Sequence, residues 1–213
     1  MGGINKQFLE LDGAPVIINT ITMFQRCNMI DEIVIVTRES DVEEIAKLVE
    51  KYDLSKVFNI VVGGETRQLS VYEGVTSTSN IADLVVIHDG ARPLVTVKVI
   101  EETIKAAAKF GAAATGVKVK DTVKIVDDND NIIDTPDRAY MRFIQTPQVF
   151  DKKLYLDAVK TVENSKDFTD DCKLIEAYGR TVKFVDGDYE NIKITTPEDI
   201  DLAESYLKRR RGE

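Results

Sequence analysis

The chain has 213 residues, 43% apolar and 31% charged, which suits a packed core and excludes a disordered segment. Its formal net charge is −9, from 28 Lys plus Arg against 37 Asp plus Glu, which excludes a general nucleic-acid or anionic-membrane surface but not a local phosphate pocket. The two cysteines, Cys27 and Cys172, lie far apart with no metal-ligand spacing, and no signal peptide or membrane-spanning apolar run is seen, so a cytoplasmic protein with free thiols is expected.

In chain order the pattern alternates strand and helix. Glu32 to Thr37 is a short β-branched run and reads as a buried strand. Ser40 with Glu43 forms the pattern of a capping box, and Ile45, Leu48, Val49 and Tyr52 follow at helical spacing. Asn59 to Val62 is a second strand ending in Gly63-Gly64, with a helix expected over 67–76. Leu84 to His88 is a third strand, followed by a helix from about Thr96 to Phe110 and a strand over Ala112 to Val119. This order predicts an α/β fold, a doubly wound, mostly parallel sheet with helices on both faces. Thr181 to Val185 adds a strand, and Thr196 to Asp199 starts a last helix that carries Ile200, Ala203, Tyr206 and Leu207. No repeat or linker interrupts residues 1–213, so one domain is expected. The closing Lys208 to Arg211 run is expected to complement a helix C-terminus rather than to bind nucleic acid.

One stretch breaks the rhythm. Thr122 to Val126 and Asn131 to Asp134 flank the turn signal Asp127 to Asp130, which predicts a β-hairpin. No helix of its own would cover it, so it is expected to project as a dimerisation arm over about 120–138; an edge hairpin folded back on its own sheet is the alternative.

In an open parallel sheet, ligands bind beyond the carboxyl ends of the strands. Gly63 to Ser70 and His88 to Pro93 occupy two such ends. Paired glycines before a helix N-terminus allow close approach of an anionic or amide group. Asp89 among small residues suits Mg²⁺, which takes carboxylates together with phosphate oxygens, and Arg92 could hold a phosphate. On spacing alone a turn and a helix cap explain these segments equally well. Lys6, Arg138 and Lys193 read on spacing alone as solvated charges, and the single histidine, His88, as a structural hydrogen-bonding residue.

Taken together, the segments resemble the 2-C-methyl-D-erythritol 4-phosphate cytidylyltransferase family. The blocks are Asn5-Lys6-Gln7-Phe8-Leu9, with Asn5 in place of the usual Pro; Gly63, Gly64, Arg67 and Ser70; His88 to Pro93; Asp121-Thr122; Asp137-Arg138; Gln145 to Phe150; Thr169-Asp170-Asp171; and Asn191 to Thr195. The resemblance implies a Rossmann-like nucleotidyltransferase that couples CTP to a sugar-alcohol phosphate, with Mg²⁺ as cofactor and a homodimer as the working unit. It implies that Lys6 and Lys193 serve the transferring phosphates, and that Asp89 holds the metal. Gly64, Glu65, Arg67, Ser70, Asp89 and Ala91 would line the CTP site, Glu65 standing where many members have Asp. Asp89, Arg92, Thr146, Thr169 and Lys193 would surround the acceptor, with Thr122 and Arg138 reaching it from the arm of the other subunit.

The resemblance departs at the start. The family opens with a buried strand and a glycine-rich loop of the form A-A-G-x-G-x-R-M-G, and Met1-Gly2 aligns with the end of that loop. Weakened CTP binding and reduced stability are therefore expected of these residues. Two other readings stand beside the main one: ribitol-5-phosphate cytidylyltransferase, which shares most blocks, and a non-catalytic nucleotide-binding relative.

Overall fold

The computed structural model describes residues 6–162 and 168–213. Met1-Gly2 and Asn5, the start of the first family block, lie outside the described residues.

The chain enters through a 3₁₀ turn, Lys6–Phe8, and a small ribbon, β1 (Glu10–Leu11) with β2 (Ala14–Pro15). Asp12 and Gly13 turn this ribbon with φ of 56° and 77°, the left-handed pair that a two-residue hairpin requires. Helix α1 (Val16–Arg26) follows at once, its Val16, Ile17, Ile18, Ile21 and Phe24 buried. Then come β3 (Ile33–Thr37), α2 (Val42–Lys51), β4 (Val57–Val62), α3 (Arg67–Thr76), β5 (Leu84–Ile87), α4 (Val97–Phe110) and β6 (Ala112–Lys118). A two-stranded hairpin, β7 (Ile125–Val126) and β8 (Ile132–Asp134), is next. The chain closes with β9 (Arg142–Asp151), α5 (Lys152–Thr161), α6 (Asp171–Ala177), β10 (Lys183–Asp186) and α7 (Glu198–Arg211).

The larger sheet has the order β10-β6-β9-β5. β10 is parallel to β6, but β9 runs antiparallel to both β6 and β5, so the central sheet is mixed rather than mostly parallel. Within this sheet, β9 is the strand absent from the sequence expectation. Pro147 and the polar Gln145, Thr146 and Gln148 interrupt its apolar pattern, and a proline ordinarily argues against a central strand. Here the proline falls at a register shift, where four steps along β9 from Ile144 to Gln148 oppose two along β6 from Gly116 to Ala114.

Alternation along the strands separates two cores. Ala113 and Val149 face α4 and α1, packing with Val99, Ile100, Ile104 and Phe24. Ala112, Ala114 and Phe150 face the other way, against Val75 of α3, Tyr155 and Ala158 of α5, and Leu174 and Ile175 of α6. Helices on both faces are thus as expected.

β3 and β4 form a separate two-stranded parallel sheet. Among the described residues no ladder joins β3 to β5. A cavity of about 980 Å³ lies between them, lined by Ile35, Val36 and Val86, by Ile17 and Phe24 of α1, and by Val75 of α3. It opens at the carboxyl ends of the strands, where Gly63 to Arg67, His88 and Asp89 line it.

The expected capping box before α2 is not formed. Asp41 is the N-cap without a side-chain cap bond, because the chain makes a 3₁₀ turn over Glu39–Asp41 and Ser40 Oγ turns to Asp41 Oδ1 at 3.0 Å.

Candidate active site

The first half of the site grows out of β4. Gly63 N donates to Thr37 O at 2.8 Å, fastening the loop to the end of β3. Thr66 is the N-cap of α3, its Oγ1 accepting from Leu69 N at 3.2 Å, and Ser70 Oγ donates back to Thr66 O at 2.9 Å. The loop folds so tightly over this first turn that a Cβ on Gly64 would lie 2.4 Å from Leu69 Cβ. Only glycine fits there, which leaves Gly64 and Glu65 at the cavity mouth beside the open N–H groups of a helix start.

The second half follows β5. Asp89 N donates to Thr146 Oγ1 at 3.0 Å, which ties the strand end to β9. Asp89 Oδ2 receives both Arg92 Nε and Lys193 Nζ, each at 3.2 Å. Burial pushes the Asp89 carboxyl up, but the charges of Lys193 and Arg92 more than reverse this, so it ionises below the ordinary carboxylate range. Arg92 Nη1 also donates to Asn191 O at 2.8 Å, and Ile194 N to Ala91 O at 2.8 Å. These two bonds lay the Asn191–Thr195 segment beside the His88–Pro93 segment.

Asn191, fully buried, is the residue that sequence reasoning left without a role. Its Nδ2 donates to Thr146 O at 2.9 Å, so it holds together the segments that carry Thr146, Arg92 and Lys193. A buried asparagine in an otherwise polar loop is a signal that only burial reveals. Behind it, Arg210 of α7 donates to Glu190 Oε2 at 2.8 Å and to Leu94 O at 3.0 Å, and Arg209 also pairs with Glu190. The basic end of α7 thus clamps the loop that presents Lys193.

The structure therefore brings together Asp89, Ala91, Arg92, Thr146 and Lys193, with Gly64, Glu65 and Ser70 on the facing loop. Arg67 lies at the mouth, with its guanidinium Nη2 2.6 Å from Asp171 Oδ2. Lys6 is exposed on the first turn, next to Gln7, which lines the cavity. Thr169 is exposed just before α6. Neither Thr122 nor Arg138 touches the Asp89 group; both are exposed at the foot of the arm, and Arg138 Nη1 donates to Lys120 O at 2.6 Å.

A metal ion at this site would depend on Asp89. Among the described residues no three His, Cys, Asp or Glu side chains are grouped as a protein-only metal cage. One ionised carboxylate at the cavity mouth fits Mg²⁺, which relies on one or two carboxylates and on substrate phosphates. Both cations reach Oδ2, so Oδ1 is the oxygen suited to a metal.

The sequence profile of 2-C-methyl-D-erythritol 4-phosphate cytidylyltransferase matches residues 1–209. The chain belongs to this family. A cytidylyltransferase of that name from Caldanaerobacter subterraneus subsp. tengcongensis is 48% identical over 208 residues, spanning 97% of this chain and 92% of that protein. One from Alkaliphilus oremlandii is 45% identical over 210 residues, 97% and 89% of the two chains. Among solved structures, the 4-diphosphocytidyl-2C-methyl-D-erythritol synthase of Anaerococcus prevotii superposes with a TM-score of 0.88 at 42% identity, covering 95% of this chain and 93% of that one. The Thermus thermophilus cytidylyltransferase gives 0.75 at 26% identity, covering 95% and 93%. Cytidylyltransferases of this family thus share the Rossmann-like α/β architecture built here around a mixed sheet.

Proposed function

We propose that this protein transfers CMP from CTP to 2-C-methyl-D-erythritol 4-phosphate, forming 4-diphosphocytidyl-2-C-methyl-D-erythritol and pyrophosphate in non-mevalonate isoprenoid biosynthesis. The observation that carries the reading is the Asp89 carboxylate held between Arg92 and Lys193 at the end of β5, facing the Gly64 loop, in a chain of this family.

The reaction joins two polyanions. An oxygen of the acceptor phosphate attacks the α-phosphorus of CTP, a P–O bond forms, and the bond to the β-phosphate oxygen breaks to release pyrophosphate. A phosphate needs no strong base to become a nucleophile, so the protein's tasks are alignment and charge neutralisation. Arg92 and Lys193 supply fixed positive charge for the acceptor phosphate and the developing charge, and Lys6 adds to it from the first turn. Thr146 and Thr169 offer hydroxyls to the acceptor. Gly64, Glu65, Arg67, Ser70 and Ala91 frame the nucleotide. Mg²⁺, held by Asp89, would neutralise the CTP phosphates and orient the leaving group.

The arm supports a homodimer. Ile125, Val126, Ile132 and Ile133 are 45–63% exposed on a two-stranded ribbon, which is marginal without a cover. A second copy supplies that cover and brings Thr122 and Arg138 to the acceptor site of its partner. No described helix is long and apolar enough to cross a membrane.

The test is pyrophosphate release from CTP with Mg²⁺, using methylerythritol 4-phosphate or ribitol 5-phosphate. Release with the first alone is expected, and Asp89→Asn should lower kcat/KM by about 100-fold or more. Preference for ribitol 5-phosphate would move the reading to that acceptor. Silence with both would move it to a non-catalytic nucleotide-binding protein.

A further inference from the structure

Asp171 is the first residue of α6 and its side chain is wholly buried. Its own helix does not require it, because Asp170 is the N-cap and accepts from Lys173 N at 3.0 Å. Yet both oxygens of Asp171 are used. Oδ2 takes Arg67 Nη2 at 2.6 Å and Oδ1 takes the Tyr155 hydroxyl at 2.9 Å, while its backbone N donates to Gln148 Oε1 at 3.2 Å. Burial pushes this carboxyl up and the Arg67 charge pulls it back. An acid so placed is costly without its cation.

The link also reaches from the smaller sheet to the larger one. Arg67 opens α3, directly after β4 and the Gly63–Thr66 loop, on the smaller sheet. Asp171 packs under β9 of the larger sheet, through Gln148 and Tyr155. Among the described residues no ladder bond joins those sheets at β3 and β5. Side chains 104 and 100 residues apart join them instead: Arg67 with Asp171, and Gln68 Nε2 with Phe168 O. Both bonds connect the first turn of α3 to the stretch from Phe168 to the start of α6, which carries Thr169. We propose that Asp171 is a positioning residue that, through Arg67, fixes the nucleotide-facing loop 63–70 against the acceptor-facing loop 168–170. The kinetic side of this inference rests on the cytidylyl-transfer reading; the structural side does not.

The experiment compares Arg67→Gln, Arg67→Lys, Asp171→Asn and the Arg67→Gln/Asp171→Asn double variant by steady-state kinetics and by amide hydrogen exchange. Both single neutralisations should raise KM for CTP roughly tenfold while kcat stays within about threefold, as loss of ground-state alignment requires. The double variant should lose no more than the worse single one, since the two residues act as one unit. Arg67→Lys should recover most of the loss. Amides of 63–70 and 168–170 should exchange roughly tenfold faster in both singles, with those of α4 and β6 unchanged. A fall in kcat matching that in kcat/KM for Arg67→Gln but not for Asp171→Asn would overturn the proposal and put Arg67 on the reacting phosphates. Additive losses, or unchanged exchange in both loops, would also overturn it. If Asp171→Asn does not fold, the two Arg67 variants decide alone. If the parent protein shows no transfer, the function fails but the exchange result still decides the proposal.

Discussion

His88 shows how one side chain can set the acid limit of the whole molecule. Its Nε2 lies 3.3 Å from Arg92 O, which the neutral ring serves as donor, and its ring packs 4.8 Å from that of Phe24. Nδ1 is buried with no hydrogen-bond partner among the described residues. Burial lowers its pKa from 6.5 to about 4. The unfolded chain therefore takes up a proton near 6.5 that the folded chain refuses. Stability falls as pH drops from 6.5 towards 4, by up to about 3 kcal/mol for this group alone. Asp89 is displaced downward as well, but for an acid this favours the folded state: its contribution is present above the ordinary value of 3.8 and is lost as pH falls through the lower folded value. Urea midpoints measured near pH 7 and about pH 4.5 should thus differ markedly, and His88→Gln should shrink the difference by removing the titrating group. An undiminished difference in His88→Gln would assign the acid limb to other groups.

At the scale of elements, the arm makes the sharpest prediction. Asp127 Oδ1 accepts from Asn129 N and Asn131 N at 2.9 Å each, and Asp130 takes φ of 62°, so the turn is well specified. The ribbon's exposed isoleucines are not. If a second copy covers them, Ile132→Asp with Ile133→Asp should convert a dimer to a monomer in sedimentation and cut transfer strongly, while leaving the far-UV circular dichroism of the body intact. The hairpin was legible because its turn chemistry is local, and so were α3, α4 and β5, whose period and flanking glycines are local too. What escaped depends on neighbours distant in sequence. β9 hides its strand character behind Pro147 and three polar residues whose partners are Asp188, Asp89, Asn191 and Asp170. Ser40 had the spacing of a cap, but a 3₁₀ turn competed for the same residues. Arg67 enters the CTP site through the family resemblance alone; nothing local announces an aspartate 104 positions away. Asp89, Arg92 and Lys193 were legible only as a set of motifs, since each alone has the pattern of a cap or a surface charge.

At the scale of the molecule, helices bridge the larger sheet and the β3–β4 sheet, between which the described residues form no ladder. α1 lies across the join: its Ile17, Ile18 and Ile21 pack with Ile35 and Ile45, while its Phe24 belongs to the core beneath β6 and β9. α3 does the same from the other face, its Val75 packing with Val85 and Phe150 while its length rests on β3. The division has a consequence for how the protein comes apart. A ladder that runs through every strand makes loss of one strand the loss of all; among the described residues no ladder joins β3 to β5, so unfolding of the β3–β4 half can precede that of the rest by as much as the bridging side chains allow. Denaturation followed by far-UV signal and by exchange of the β6 amides should coincide in the parent protein if those bridges suffice. With Arg67→Gln the two curves should separate, the far-UV transition beginning at lower urea while β6 holds. Coincident curves in that variant would mean that α1 and α3 alone carry the cooperativity.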